Sequence, residues 1–227
     1  MDIIFDKFHQ GYDDWYGEQI GECIDTIQTN GAFSLLEPQR GQKILDAGCG
    51  TGNYTFKLAT LGCRVTGVDI SRKMLDVARN KHLRFPGGSL VELYEMDCAA
   101  LSFEESAFDG IISMAVFDFI KDPNPAFCEL MRVLKPGGKL VIGIIAKGGP
   151  WETFYSSEAC AGTAYALAAF KSKEDIIALA PNNVHGAVEC LHIPPGLEKG
   201  TYVVENEKKY AAEGNLPGFA CVSFLKK

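Results

Sequence analysis

Short apolar runs alternate with amphipathic stretches through the middle of this chain, and their spacing predicts the elements one after another. Ile44, Leu45 and Ala47 make a strand at 43–47, followed by a helix at 52–61, a strand at 64–69 and a helix at 71–81. A strand at 91–96 leads through a loop to a strand at 109–114, a helix at 124–134 and a strand at 139–146. Lys135-Pro-Gly-Gly138 reads as the turn between the last two. The strands are apolar throughout, as in Gly110-Ile-Ile-Ser-Met114, which fits strands covered on both faces. Strands alternating with helices imply a parallel sheet between helical layers.

Both ends are less regular. The first forty residues read as helical over 5–16 and 21–33, and Gly11, Gly17 and Gly21 break the pattern into a segmented cap. After Gly148-Gly-Pro150, residues 151–170 read as one or two helices and 173–179 as a short one. Residues 184–193 and 219–225 alternate enough to be strands, with an excursion at 194–216 between them. Such a pair would be antiparallel at the sheet edge. The expected division is an amino-terminal lid, 1–40, and a core, 41–227, with a substrate-covering insertion at 148–170.

Composition narrows the function. A chain of 227 residues supports one sizeable core, and 47% hydrophobic with 22% charged residues is ordinary for a globular protein. A net charge of −7 argues against a nucleic-acid surface. No apolar run is long enough to span a bilayer and the first residues carry no leader pattern, so the expectation is a cytoplasmic protein with neither membrane nor nucleic-acid partner. The eight cysteines form no C-x-x-C pair, which removes the usual support for zinc. Most sit among apolar neighbours as small hydrophobes; Cys98, Cys160 and Cys190 are the candidates for a thiol near a substrate.

The chemistry concentrates at Asp46-Ala-Gly-Cys-Gly-Thr-Gly52, where a strand meets a helix through three glycines. Glycines there let the backbone turn sharply and press against a ligand. Asp69 ends the next apolar run, 21 residues beyond Gly48, where a nucleotide-binding unit places the carboxylate for a ribose. Asn53 stands where the dinucleotide fingerprint has its third glycine, and no phosphate-gripping G-x-x-x-x-G-K sequence occurs. Asp46 would repel a pyrophosphate but suits a ligand with ammonium and sulfonium charges.

Together with Gly67-Val-Asp-Ile-Ser71, Met74-Leu75, Met96-Asp97, Phe108-Asp-Gly-Ile-Ile-Ser113 and Arg132-Val-Leu-Lys-Pro-Gly-Gly138, this stretch resembles the class I S-adenosylmethionine-dependent methyltransferases. The likeness is to the small-molecule branch of ubiquinone and menaquinone biosynthesis type (methyltransferase type 11). It implies a Rossmann-like α/β fold: a mostly parallel seven-stranded sheet with an antiparallel edge strand and helices on both faces. It also implies S-adenosylmethionine as cofactor, S-adenosylhomocysteine as product and a small-molecule acceptor. By the same resemblance Gly48 and Gly50 lie against the methionine part with Asp46 nearby, Asn53 also belongs to the cofactor site, and Asp69 takes the ribose hydroxyls. Ile70 and Met74 flank the adenine, Asp97 accepts from its amine, and the Cys98 N–H faces a ring nitrogen. Ser113, Met114 and Phe117 close the amino-acid end, while Tyr12 and Trp15 cover the cofactor. Ile70, Met74 and Phe117 also fit plain core positions, and Asp69 and Asp97 fit helix caps. Many relatives carry a histidine pair where this chain has Asp118-Phe119, which leaves any base from that position in doubt.

Methyl transfer by direct displacement needs alignment more than acid–base help, and the sequence contains no convincing dyad. Of the four histidines, His9, His185 and His192 could reach a substrate, whereas His82 reads as solvated. The acceptor is expected between the amino-terminal segment, the turn at 114–118 and the aromatics Trp151, Phe154, Tyr155, Tyr165 and Phe170. A nicotinamide oxidoreductase is disfavoured by Asp46 and Asn53; a non-catalytic module that binds the same cofactor is the other alternative.

Overall fold

The computed structural model describes residues 3–9 and 11–227. In chain order its helices and strands are α1 (Gln19–Leu36), β1 (Lys43–Ala47), α2 (Asn53–Thr60), β2 (Arg64–Asp69), α3 (Arg72–His82), β3 (Val91–Glu95) and β4 (Phe108–Met114). There follow α4 (Asn124–Val133), β5 (Leu134–Ile145), α5 (Pro150–Tyr155), α6 (Lys173–Ile177), β6 (Val184–Cys190), α7 (Val204–Ala212) and β7 (Phe219–Leu225). The strands form one seven-stranded sheet in the order β3-β2-β1-β4-β5-β7-β6. β1 to β5 run parallel, and β7 runs against both β5 and the edge strand β6. This is the mostly parallel α/β sheet, antiparallel near one edge, that the sequence led us to expect.

Strand alternation sends successive side chains to two separate cores. Leu140, Ile142 and Ile144 of β5 join Ala220, Val222 and Phe224 of β7 against α4. Val141 and Ile145 join Phe219 and Cys221 on the other face, with Ile24 and Ile27 of α1. Residues 140–145 of β5 and 219–224 of β7 are buried on both faces, and Ser223 is the one polar side chain among them. Strand order reverses between β1 and β4, and the crevice over the carboxyl ends of these strands is where an open α/β sheet binds its ligand.

Three expectations need correction. The helix expected over 5–16 is two 3-10 turns, Ile4–Lys7 and Asp14–Gly17, and residue 10 within it lies outside the described residues, as do residues 1 and 2 of the expected lid. α1 then runs unbroken through Gly21 and Gly31 instead of stopping at 33. Gly21 is a contact point and no breaker: a Cβ there would sit 1.9 Å from the Trp15 carbonyl oxygen. Second, the residues expected to form the turn at 135–138 belong to β5. Leu134 pairs with Phe108 and Lys139 with Gly110, so 135–138 bulge opposite Asp109, with Gly137 at φ +78°. Third, the excursion between β6 and β7 contains α7, whose residues include none that is buried and which therefore left no apolar stripe to read.

Within 151–170 only α5 is α-helical; the 3-10 turns Glu158–Cys160 and Ala164–Leu167 complete the segment. All eight cysteines are free and all but Cys128 are buried. No helix among the described residues is long and apolar enough to cross a membrane.

Candidate active site

The crevice is built outward from the end of β1. Gly48, Gly50 and Gly52 take φ values of +76°, +54° and +85°, the left-handed region that costs a side chain-bearing residue about 1 kcal/mol or more. Gly48 N–H and Cys49 N–H donate to the Val68 carbonyl at 2.8 and 2.9 Å, binding the loop to the end of β2. The next amide, Gly50 N–H, donates to Asp69 Oδ2 at 2.8 Å, and Ser71 N–H donates to Asp69 Oδ1 at 2.7 Å. The loop and the start of α3 thus hold the Asp69 carboxylate from both sides. Burial raises its pKa, and the Ser71 and Gly50 amides oppose that rise. Asp46 is buried and accepts from Thr55 Oγ1 at 2.6 Å; burial pushes its carboxyl up to about 7, against the Thr55 hydroxyl and with the Asp69 charge adding to it.

Two adjoining cavities open over these residues. The larger, about 430 Å³, is lined by Asp69, Ile70, Met74, Asp97 and Cys98, the side chains expected around ribose and adenine. Asp97 Oδ1 accepts from Ala99 N–H at 2.8 Å, and burial pushes the Cys98 thiol up to about 12, which leaves it a protonated wall. The smaller, about 70 Å³, is lined by Asp46, Asn53, Tyr54, Tyr155 and Phe219 among others. Tyr12, Gly48, Gly50, Met114 and Tyr165 border both.

Two expected site residues do not reach either cavity. Ser113 is fully buried and donates to the Ala47 carbonyl at 2.9 Å, so it ties β4 to β1 within the sheet. Phe117 is fully buried in the core beside α4. Ala115, at φ +54°, turns the chain as β4 ends, and Val116 and Phe119 line the larger cavity in its place. Nothing in the residue types marks Ala115 for that conformation. Of the other candidate thiols, Cys160 and Cys190 line neither cavity, whereas Cys49 lines the smaller.

The amino-terminal segment lies over the crevice, held by contacts that the sequence left unmarked. Ser71 Oγ donates to Asp6 Oδ1 at 2.6 Å, and Thr51 Oγ1 donates to Asp13 Oδ1 at 2.7 Å. Lys81 Nζ bonds both Asp13 Oδ2 at 2.8 Å and Asn53 Oδ1 at 2.9 Å. Phe5 meets Phe119 edge-on at 4.8 Å, and Tyr155 stacks on Tyr165 at 4.3 Å. Trp15 and Tyr16 line the smaller cavity with Tyr12. Of the aromatics expected at the acceptor, Tyr155 and Tyr165 are in place. Trp151 instead donates its indole N–H to the Ile193 carbonyl at 2.9 Å within the core, and Phe154 and Phe170 line neither cavity.

None of the histidines lines these cavities. His9 bonds the Asp6 carbonyl, half-buried His82 bonds the Gly88 carbonyl and His192 bonds Glu207, while His185 is exposed on β6. Asp118 is fully buried under the crevice; its Oδ2 accepts from Ile145 N–H at 3.1 Å and its Oδ1 has no partner among the described residues. Burial raises its carboxyl to about 7, against the Ile145 amide and the Lys171 charge.

Residues 45–142 match a protein family described as a methyltransferase domain. An O-methyltransferase of Penicillium expansum is 31% identical over 151 residues, 66% of this chain and 55% of that protein. A demethylmenaquinone methyltransferase of Clavibacter sepedonicus is 37% identical over 142 residues, 63% of this chain and 56% of that one. The chain therefore spans about half the length of the curated relatives it matches. Among solved structures, an S-adenosylmethionine-dependent methyltransferase of Thermotoga maritima, named a possible histamine N-methyltransferase, superposes with a TM-score of 0.74 over 99% of both chains. At 21% identity that likeness concerns the fold. The matched stretch runs from within β1 to Ile142 of β5 and contains the glycine loop, Asp69, Asp97 and Met114.

Proposed function

We propose that this protein transfers the methyl group of S-adenosylmethionine to a small-molecule acceptor by direct displacement. The observation that carries the reading is Asp69, fixed by the Gly50 and Ser71 amides on the wall of a cavity whose other walls are Ile70, Met74, Asp97 and Cys98. A carboxylate held in this way offers its remaining lone pairs to a vicinal diol. The apolar pair Ile70 and Met74 would sandwich a flat base, with Asp97 accepting from its amine. Asp46 would meet the ammonium of the amino-acid end beside the bare backbone of Gly48 and Gly50. Asn53, fixed by Lys81, stands at that end.

When bound, the cofactor supplies an electrophilic methyl on a positively charged sulfur. This chain's part is to align the acceptor and keep water out. Tyr12, Met114 and Tyr165, which border both cavities, form the neck through which the two reactants would meet. We read residues 3–9 and 11–17 as a lid over that neck and 148–170 as the cover of the acceptor side. We also place the protein in the cytoplasm, a reading supported by its unpaired cysteines.

Calorimetry tests the proposal. S-adenosylhomocysteine is expected to bind the native protein, and Asp69→Ala to weaken that binding about tenfold or more, as loss of a charge-assisted pair of bonds requires. No heat of binding with well-folded protein, or an unchanged affinity in Asp69→Ala, removes the reading.

A further inference from the structure

The two cavities share six residues along their common border: Tyr12, Gly48, Gly50, Met114, Ala115 and Tyr165. Four of them lie where β1 and β4 end. The other two come from outside the sheet, Tyr12 from the amino-terminal segment and Tyr165 from the 3-10 turn Ala164–Leu167. The Tyr12 hydroxyl hydrogen-bonds those of Tyr16 and Tyr165, so the two phenols meet across the border. Their rings are fixed by neighbours: Tyr165 stacks on Tyr155 at 4.3 Å and lies 5.9 Å from Phe119, and Tyr12 meets Phe5 edge-on at 6.3 Å. These two phenol oxygens are the only side-chain oxygen or nitrogen atoms that the six border residues carry. Four carboxylates, Asp46, Asp69, Asp97 and Asp122, line the two cavities, and among the described residues no Lys, Arg or His does.

We infer that Tyr12 and Tyr165 bind the sulfonium of the methyl donor, and that through them the crevice tells the methyl-bearing cation from the neutral thioether left after transfer. The inference rests on the proposed cofactor binding and adds to it the residues that face the reacting centre. In S-adenosylmethionine the sulfur joins the ribose to the amino-acid chain. With the ribose at Asp69 in the larger cavity and the ammonium at Asp46 in the smaller, that sulfur has to cross their common border. There the polarised methyl and methylene hydrogens of a sulfonium meet phenol oxygens and aromatic faces, both of which attract positive charge. The Tyr165 oxygen has one phenol partner in the row and keeps a lone pair free. Burial raises the pKa of both hydroxyls, so they act as neutral dipoles.

The transfer itself removes what the phenols hold. The acceptor's lone pair forms the new bond to the methyl carbon, and the C–S bond breaks with its electron pair left on sulfur. The positive charge passes from sulfur to the methylated acceptor. The thioether that remains offers the phenols no charge, while the contacts to its ribose and ammonium stay as they were. Release of the spent cofactor thus becomes easier than release of the donor.

Calorimetry with three ligands tests the inference: S-adenosylmethionine, S-adenosylhomocysteine, and sinefungin, in which a carbon bearing an ammonium replaces the methylated sulfur. If the native protein takes up no S-adenosylhomocysteine, the cofactor reading fails and takes the inference with it. If that ligand binds, the readout is the affinity of each of the other two relative to it. Attraction by the four carboxylates acts on a cation in every variant, so a change in this ratio between variants reports the contact at the border. Tyr165→Leu should lower the S-adenosylmethionine ratio about tenfold and the double variant Tyr12→Phe with Tyr165→Phe about threefold, with S-adenosylhomocysteine affinity held within about twofold. The sinefungin ratio should fall alongside. A Tyr165→Leu protein that binds S-adenosylhomocysteine as before, with both ratios unchanged, overturns the inference, as does an equal loss of all three ligands in both variants. Should Tyr165→Leu fail to fold, the double Phe variant, which keeps both rings, decides: unchanged ratios in it overturn the inference.

Discussion

Ser71 and Asp6 meet through a 2.6 Å hydrogen bond that joins the amino-terminal segment to the residue whose amide holds Asp69. The same Ser71 hydroxyl accepts from Met74 N–H at 3.2 Å and so caps α3. One small side chain thus closes the helix that carries Met74 and anchors the segment above it.

Ser71→Ala is expected to lower stability by about 1 kcal/mol through the lost cap. Its more specific effect is on residues 3–9 and 11–17, whose amide hydrogen exchange should speed up, while exchange in β4 and β5 stays as it was. Because Asp69 is held by the Ser71 backbone amide, S-adenosylhomocysteine affinity should fall by only a few-fold. Unchanged exchange in the amino-terminal segment would show that the Asp6 bond does not hold it down.

Gly48 and Gly50 separate packing from ligand approach. A Cβ at Gly48 would lie 2.2 Å from Val116 Cγ2, on a residue already at φ +76°, whereas a Cβ at Gly50 meets nothing within 4 Å. Gly48→Ala is expected to destabilise the protein by about 3 kcal/mol, combining the clash with left-handed strain. Gly50→Ala should cost about 1 kcal/mol and reduce cofactor affinity more than tenfold, since its methyl projects into the open crevice. Urea unfolding paired with calorimetry checks both; equal destabilisation by the two variants would contradict the geometry.

The buried carboxyl of Asp118 makes stability depend on pH. Its native pKa lies at about 7, above the ordinary value of 3.8, so the folded state favours the protonated form. That contribution is fully present below about pH 4 and is lost as pH rises through 7, at roughly 1.4 kcal/mol per unit of separation. Asp118→Asn keeps an oxygen for the Ile145 amide and carries no charge. It should match the native protein at or below about pH 4, pull ahead as the pH rises, and exceed it by about 1–3 kcal/mol at pH 8. Parallel thermal melts across that range provide the measurement, and a difference independent of pH would refute the assignment.

The parallel half of the fold was legible because β1, β4 and residues 140–145 of β5 are covered on both faces and read as short, mostly apolar runs. Asp46, Gly48, Gly50, Asp69, Ile70, Met74, Asp97, Cys98 and Met114, which the motifs singled out, line the two cavities. Ser113 and Phe117 do not, because strand pleat and the positive φ of Ala115 decide which neighbour faces the crevice. The ties through Asp6, Asp13 and Lys81 were hidden for a different reason: they join residues up to 68 positions apart (81 − 13) with side chains ordinary for a solvated surface. α7 was missed because a helix without a buried side chain has no stripe.

The position of β7 has a consequence for how the chain reaches its final form. Among the described residues β6 is hydrogen-bonded to β7 and to no other strand, and β7 follows it in the chain. During synthesis, residues 184–190 must therefore wait unpaired until 219–225 leave the ribosome and wedge in beside β5. Strands β1 to β5 can assemble early from near neighbours, but β6 and β7 join the sheet together once both are available. Removal of residues 219–225 would strip away both at once, exposing β5 as a bare apolar edge.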